Sequence, residues 1–323
     1  MTTAPDNPAE HEQSAMPARR PRLGLALGSG SARGWAHIGV LQVLREEGVP
    51  VDIIAGTSAG ALVGAAFALN RLGQLHERVL SLTMREVYAT VELRFSRGGI
   101  ITGRGIIAEL EKLGISGTFA DTAIPFAAVA TDLLRGAEVW LREGELLSAI
   151  HASMAIPGVI APVRRDGRWL LDGGLTNPVP VSLARAMGAD MIIAVALDQD
   201  ISLRHRLPET DHDPLEVMAD YLPRFLAHPL RRVLPDMTRR EQTPGYVDVV
   251  TGALDIMESQ ITRARLAGEP PHVLIRPLLP HIGPFDFDRG AEIIEAGREA
   301  ARMALPHIRH LLARMEDILR QPG

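Results

Sequence analysis

The sequence contains no cysteine, which excludes a disulfide framework, a thiolate metal site and a cysteine nucleophile. Aromatic residues are only 4% of its 323 residues and no basic stripe is interleaved with them, so nucleic acid is not an expected partner. Neither sign of charge dominates, with 34 Lys and Arg against 39 Asp and Glu. The resulting formal charge of −5 gives no general attraction to a polyanion. Glycine (30) and proline (23) follow no period, and no self-similar repeat runs along the chain, so collagenous, low-complexity and solenoid readings fail.

Long apolar runs are also scarce. Ile53 to Asn70 has no charged residue and Leu146 to Val163 has only His151 as a titratable group, each about the length of a membrane span. The first run contains a Gly-Thr-Ser-Ala-Gly turn, and the second holds Pro157, Gly158 and Pro162. Each is therefore expected to split into a short element and a loop. The first twenty residues lack an apolar stretch and carry acids throughout, unlike a secretory signal or transit peptide. Residues 1–21 are expected as a disordered tail, and the protein is expected in the cytoplasm.

What is present is a hydrophobic content of 46%, enough for a sizeable core, arranged from Arg22 to Leu197 as short apolar runs alternating with amphipathic stretches. Leu23–Leu27 and Val51–Ala55 read as strands, and Trp35–Glu47 reads as a helix with Ile38, Leu41, Val43 and Leu44 inward and Gly48 at its end. Further helices are expected over Ala59–Asn70, Leu75–Val87, Gly105–Leu113 and Val181–Met187. Strands are expected over Phe126–Thr131, Glu138–Leu141, Trp169–Leu171, Met191–Val195 and Val273–Ile275. Residues 201–245 mix Arg, Asp, His and Pro and read as an irregular insertion. Phe287–Leu319 reads as helical with an interruption near Pro306, and Ile308, Leu311, Leu312, Met315, Ile318 and Leu319 share one face.

Three motifs carry chemistry. Gly56-Thr57-Ser58-Ala59-Gly60 follows a strand and opens a helix, the context that gives a G-x-S-x-G match its mechanism. A serine on that bend projects its Oγ past the strand ends beside helix N-terminal amides that favour developing negative charge. The competing reading is a strand-to-helix turn in which Ser58 only caps the helix.

Gly28-Ser29-Gly30-Ser31-Ala32-Arg33-Gly34 also joins a strand to a helix, so its N–H groups can cradle a phosphate or an oxyanion. A dinucleotide site fits poorly. The third glycine of the G-x-G-x-x-G pattern would fall on Arg33, and Asp52 precedes the second strand instead of ending it. Arg33 sits where the helix dipole disfavours a cation, which points to holding an anion or the loop itself. Asp172-Gly173-Gly174 ends the Arg168–Leu171 segment; alone it reads as a hairpin turn. With Ser58 at another strand end, both are expected on the carboxyl edge of one sheet.

Taken in order, these motifs resemble the bacterial patatin-like phospholipase family, especially its small single-domain members. Gly28 to Gly34 is similar to that family's oxyanion loop, Gly56 to Gly60 to its nucleophile elbow, and Asp172-Gly173-Gly174 to its acid motif. Ala152 to Gly158 is similar to the segment between elbow and acid. The resemblance spans roughly residues 22–200, with weaker similarity at Ile275-Arg276-Pro277 and Phe285 to Asp288. It implies a three-layer α/β/α fold with a mostly parallel sheet, a catalytic core over residues 22–200 and a variable helical part over residues 201–323. It also implies a Ser58–Asp172 dyad hydrolysing an acyl ester through an acyl-enzyme. Gly28, Gly30, Ser31, Arg33 and Gly34 would form the oxyanion loop, with the amides of Gly30 and Ser31 pointing inward. The substrate would be a phospholipid or other acyl ester. The competitors are a general carboxylesterase or thioesterase, and a non-enzymatic adaptor on the same scaffold.

An aspartate with pKa ~3.9 is about 3.5 kcal/mol poorer as a base than a histidine at ~6.5. One oxyanion donor, worth roughly 2.7–4 kcal/mol, offsets that deficit, and burial of Asp172 raises its basicity further. A conventional triad would instead draw on His205, His212, His228, His272, His281, His307 or His310, none of which has a strand-end context. His37, one turn into the first helix, reads as a hydrogen-bonded, partly buried residue. No metal motif is present and serine hydrolysis needs no cation, so neither metal nor cofactor is expected. Leu215, Met218, Leu222, Phe225 and Leu226, near Arg224, Arg231 and Arg232, are the candidate lid or peripheral membrane contact; a surface helix packed on the core is the alternative.

Overall fold

The computed structural model describes residues 20–90, 93–96, 99–197 and 246–320. The expected tail up to residue 19, the insertion 201–245 with its apolar spacing, and His205, His212 and His228 lie outside the described residues.

The runs LGLAL, IIAGT and MIIAV show no polar alternation, as strands covered on both faces require. They form β1 (Leu23–Leu27), β2 (Ile53–Thr57) and, later in the chain, β9 (Met191–Val195). Between them run β3 (Leu93–Ser96), β4 (Gly99–Ile101), β5 (Phe126–Asp132), β6 (Ala137–Leu141), β7 (Val163–Arg165) and β8 (Arg168–Asp172); β10 (Val273–Ile275) follows. Strands β10, β9, β1, β2 and β5 are consecutive parallel neighbours, while β6, β8 and β7 add an antiparallel lobe at the β5 side. The sheet is thus mostly parallel, and β3 pairs only with β4 as a separate hairpin.

The helices are α1 (Ala36–Glu46), α2 (Ala59–Ala68), α3 (Leu72–Ser81), α4 (Met84–Thr90), α5 (Arg104–Lys112), α6 (Leu146–Ser153), α7 (Val181–Ala186), α8 (Tyr246–Gly268) and α9 (Gly290–Arg320). Side chains of α1, α2, α6 and α9 build the larger core, while α7, with Leu266 of α8 against it, builds a smaller one on Ala26, Ala55, Val129 and Ala194. Helix, sheet and helix make three layers. Among the described residues no helix is long and apolar enough to cross a membrane. The charge-free run from Ile53 is β2, a bend and α2.

Several boundaries differ from expectation for identifiable reasons. The single helix expected over Leu75–Val87 is two, because Leu82 is extended and Thr83 and Glu86 form a reciprocal cap that starts α4. Helix α9 runs through Pro306 without interruption. The proline lies on the exposed side, while Leu305 and Ile308 on the inner side hold the helix against the core. Helix α8, the β3–β4 hairpin and β7 have no counterpart in the sequence reading.

The α1–α9 crossing is close because glycines face each other across it. A Cβ on Gly39 would lie 2.0 Å from the Ile294 carbonyl oxygen, and one on Gly297 would lie 2.0 Å from that of Ala36. Backbone atoms cannot yield as a flexible side chain would, so an added methyl must separate the helices. Gly39→Ala and Gly297→Ala should each cost about 1–3 kcal/mol and lower the melting temperature by several degrees. Gly73→Ala on α3 meets open space and should leave it unchanged or raise it. Melting curves followed by circular dichroism check this, and equal effects at all three positions would contradict the close crossing.

Candidate active site

Strand β5 organises the site. Its one side pairs with β6 along Ala128–Asp132, so β2 along Ile54–Thr57 and β8 along Leu170–Asp172 must share the other side. They run toward each other: Thr57 is opposite Val129 and Asp172 is opposite the next residue, Ala130. The two strand ends therefore abut, and Ser58 Oγ donates to Asp172 Oδ2 at 2.6 Å. The sequence reading brought these residues to one carboxyl edge because each ends a strand of the sheet. In fact β8 is antiparallel to β5 and reaches the edge because it pairs only with the overhang of β5 beyond β2.

Ser58 is buried and has φ 54° and ψ −121°, a left-handed conformation that costs a non-glycine residue about 1–3 kcal/mol. The surroundings enforce it. Ser58 N donates to Ser153 Oγ at 2.9 Å, and that hydroxyl donates to the Val129 carbonyl at 2.6 Å. Thr57 Oγ1 donates to the Asn177 carbonyl at 2.8 Å. A Cβ on Gly60 would lie 2.2 Å from the Leu27 carbonyl oxygen, so only glycine lets α2 begin this close to β1. Gly56 and Ala59 flank the bend, with Ala59 the first residue of α2.

Asp172 is held on its other oxygen by the Gly174 amide, 2.7 Å from Oδ1, while Gly173 begins a short 3-10 turn. Burial raises its pKa to about 6, although the bonds from Ser58 and Gly174 favour the ionised form. A carboxylate so raised is a markedly better base than a solvated aspartate.

The glycine loop departs partly from expectation. The Gly28 amide is spent on the Val195 carbonyl at 2.9 Å, so Gly28 is not an oxyanion donor; its carbonyl instead accepts from His37 Nε2 at 2.8 Å. The Arg33 amide is likewise spent on the Gly30 carbonyl at 3.1 Å, and Gly34 lies inside the 3-10 turn Ser31–Trp35. The amides of Gly30 and Ser31 have no acceptor among the described residues. Ser31, like Ser58, has a positive φ, 49°. The Arg33 guanidinium is buried; it reaches the Leu197 carbonyl at 3.3 Å and the Asp255 carboxylate at 3.1 Å, and Nε has no partner among the described residues. It thereby ties the loop to α8.

No described histidine touches Ser58 or Asp172. His37 is entirely buried, and its pKa is lowered by burial to about 4, so it is a neutral donor to the loop. His272 Nδ1 accepts the Ile192 amide near the start of β9, His281 pairs with Glu292, and His307 and His310 are exposed on α9. Among the described residues no cluster of three or more His, Asp or Glu could hold a metal ion.

Sequence reasoning placed Ser153 in the segment between elbow and acid without giving it a role, and it missed the acids of α8. Glu258 is half-buried in the site, where its Oε2 accepts from Ser29 Oγ at 2.9 Å and its carboxyl crowds the Gly174 turn. Burial first, and the negative charge of Asp172 second, raise its pKa to about 8. A cavity of about 50 Å³ lies among Ser58, Asp172, Gly30, Ser31, Ile156 and Glu258.

The patatin-like phospholipase family model matches residues 25–185. Uncharacterized NTE family proteins of Mycobacterium bovis and Mycobacterium tuberculosis are 34% identical over 334 residues, spanning 88% of this chain and 91% of theirs. Patatin-like phospholipase domain-containing protein 7 of Mus musculus is 33% identical over 197 residues, 59% of this chain and 15% of the mouse protein. A solved structure, VipD from Legionella pneumophila, aligns at TM-score 0.46 and 12% identity, covering 90% of this chain and 67% of that chain.

The state of Glu258 can be read from stability. A carboxyl whose pKa rises on folding favours the folded state most below its unfolded value of ~4.5, and that contribution is lost as pH rises toward about 8. Glu258→Gln keeps the shape without the charge. Relative to the parent, it should melt higher at pH 8.5 and equally at pH 4. The same difference at both pH values would rule out a protonated Glu258.

Proposed function

Because the chain belongs to the patatin-like phospholipase family, we propose that it is a serine-dependent lipid acyl hydrolase of phospholipase A or lysophospholipase type working through Ser58 and Asp172. The observation that carries this reading is the 2.6 Å hydrogen bond from Ser58 Oγ to Asp172 Oδ2 beside a cavity.

As Ser58 Oγ attacks the ester carbonyl, its proton passes to Asp172 Oδ2. The carbonyl oxygen gains the negative charge and lies against the amides of Gly30 and Ser31, with Ala59 at the start of α2 adding the helix N-terminal field. The carbon–oxygen bond to the leaving alcohol breaks, Asp172 returns the proton to that alcohol, and the acyl group stays on Ser58. A water then gives a proton to Asp172 and attacks the acyl carbonyl. Collapse releases the fatty acid and returns the proton to Ser58 Oγ. Arg33 and His37 hold the loop from outside the reacting atoms. Long-chain substrate distinguishes this activity from that of a general esterase or thioesterase.

On a long-chain lysophospholipid, Ser58→Ala and Asp172→Asn should each lower kcat at least about 10³-fold. In the parent, kcat/KM should rise as pH increases through about 6, where Asp172 loses its proton. A short soluble ester should be a poorer substrate. Retained activity in either variant, or loss on replacing His272 or His281, would contradict the dyad.

A further inference from the structure

The antiparallel lobe carries a face that hydrolysis does not use. Residues directly opposite in an antiparallel pair share a face, and so do residues two apart along a strand. Trp140 is opposite Val129, Glu138 and Leu171 are both opposite Thr131, and Arg164 is opposite Trp169. The Leu133 amide continues this register by donating to the Trp169 carbonyl at 2.9 Å. Trp140, Trp169, Leu133, Arg142 and Arg164 therefore emerge on one side of the lobe.

Trp140 is 38% exposed, Trp169 43%, Leu133 46% and Leu134, at the tip of the β5–β6 turn, 81%. Each tryptophan lies under a guanidinium, with Arg142 at 5.7 Å and Arg164 at 6.0 Å from the ring centroids. Arg135, at the β5–β6 turn, is exposed beside them, whereas Arg165 and Arg168, opposite each other and one residue along their strands, take the other side. Arg135, Arg142 and Arg164 thus gather here on a chain whose formal charge is −5, with Glu143, Glu145 and Asp166 the exposed carboxylates of the adjoining turns. Glu138 is neutralised by Arg265 at 2.7 Å, and Asp132 is turned inward to cap Leu134 and Arg135. The face adjoins the site, since Thr131 on the same side donates to the Asp172 carbonyl at 2.8 Å.

Large apolar side chains spaced among guanidinium groups, on a protruding turn and not in a groove, suit a headgroup layer better than a protein surface. We propose that this face, built on Leu133, Leu134, Trp140 and Trp169, docks the protein on an anionic lipid bilayer with the Ser58 cavity beside the membrane. The proposal rests on the lipid-hydrolase reading for its purpose, but binding itself needs no catalysis.

The test uses the full chain with Ser58→Ala, so that vesicles stay intact. Phosphatidylcholine vesicles with and without phosphatidylglycerol are floated with the protein, and tryptophan emission is recorded. Trp35, the remaining tryptophan, is half-buried and donates to the Phe287 carbonyl, so a shift reports Trp140 and Trp169. The expected result is salt-sensitive flotation with the anionic vesicles and a blue shift. Leu134→Asp, and separately Trp140→Ala with Trp169→Ala, should lower partitioning at least tenfold. Arg142→Gln should lower it roughly fivefold. With Ser58 restored, these variants should hydrolyse a short soluble ester within twofold of the parent. That result separates failure of docking from failure of the hydrolase reading. No flotation, or flotation insensitive to these substitutions, would overturn the proposal. So would tryptophans already shielded from acrylamide without lipid, which would give this face to residues 198–245 of the same chain.

Discussion

Two short strands occupy one side of β5 in succession and point at each other, and this arrangement underlies everything at the site. Because Thr57 and Asp172 pair with adjacent residues of β5, the residue after one strand and the last residue of the other meet without a long connecting loop. A one-residue slip of β8 would turn Asp172 to the opposite face and remove the contact. Ser153 fixes the same geometry from below, bonding to both Ser58 and Val129. The left-handed backbone at Ser58 is thus imposed by three elements at once, as a strained residue requires.

Burial sets the chemistry that this geometry permits. Among the described residues Asp172 pairs with no cation, only with a hydroxyl and an amide, so desolvation outweighs the bonds that favour its charge. Glu258 lies close enough to feel that charge and keeps its own proton to higher pH. Arg33 turns its charge toward Asp255 and the end of β9, where it secures the loop and α8 and leaves Asp172 free of a lowering partner. Burial thus pushes both carboxyls up, Glu258 further than Asp172 because it also faces the Asp172 charge.

The parts of this arrangement that are local were legible in the sequence. The strand–bend–helix around Ser58, the glycine loop and the acid-Gly-Gly turn each sit within a few consecutive residues, and backbone constraints there act on neighbours. The reversal of β8 was not legible, because its direction is fixed by pairing with β5, about forty residues earlier, and Arg168–Asp172 looks the same whichever way it runs. The spent amide of Gly28 depends on β9, and Glu258 becomes a site residue only because α8 folds back over the loop. Nothing around Glu258 in the sequence separates it from a solvated helix position. Pro306 misled for the complementary reason: local propensity argued for a break, and packing along α1 overrode it.

The most direct measurement is peptide mapping after reaction with a fluorophosphonate carrying a long alkyl chain, made alongside residual hydrolysis. The account predicts one modification, on the peptide containing Ser58, with hydrolysis lost in proportion to labelling and with labelling strongly slowed in Asp172→Asn. Modification of another residue, or full hydrolysis with Ser58 completely labelled, would contradict it.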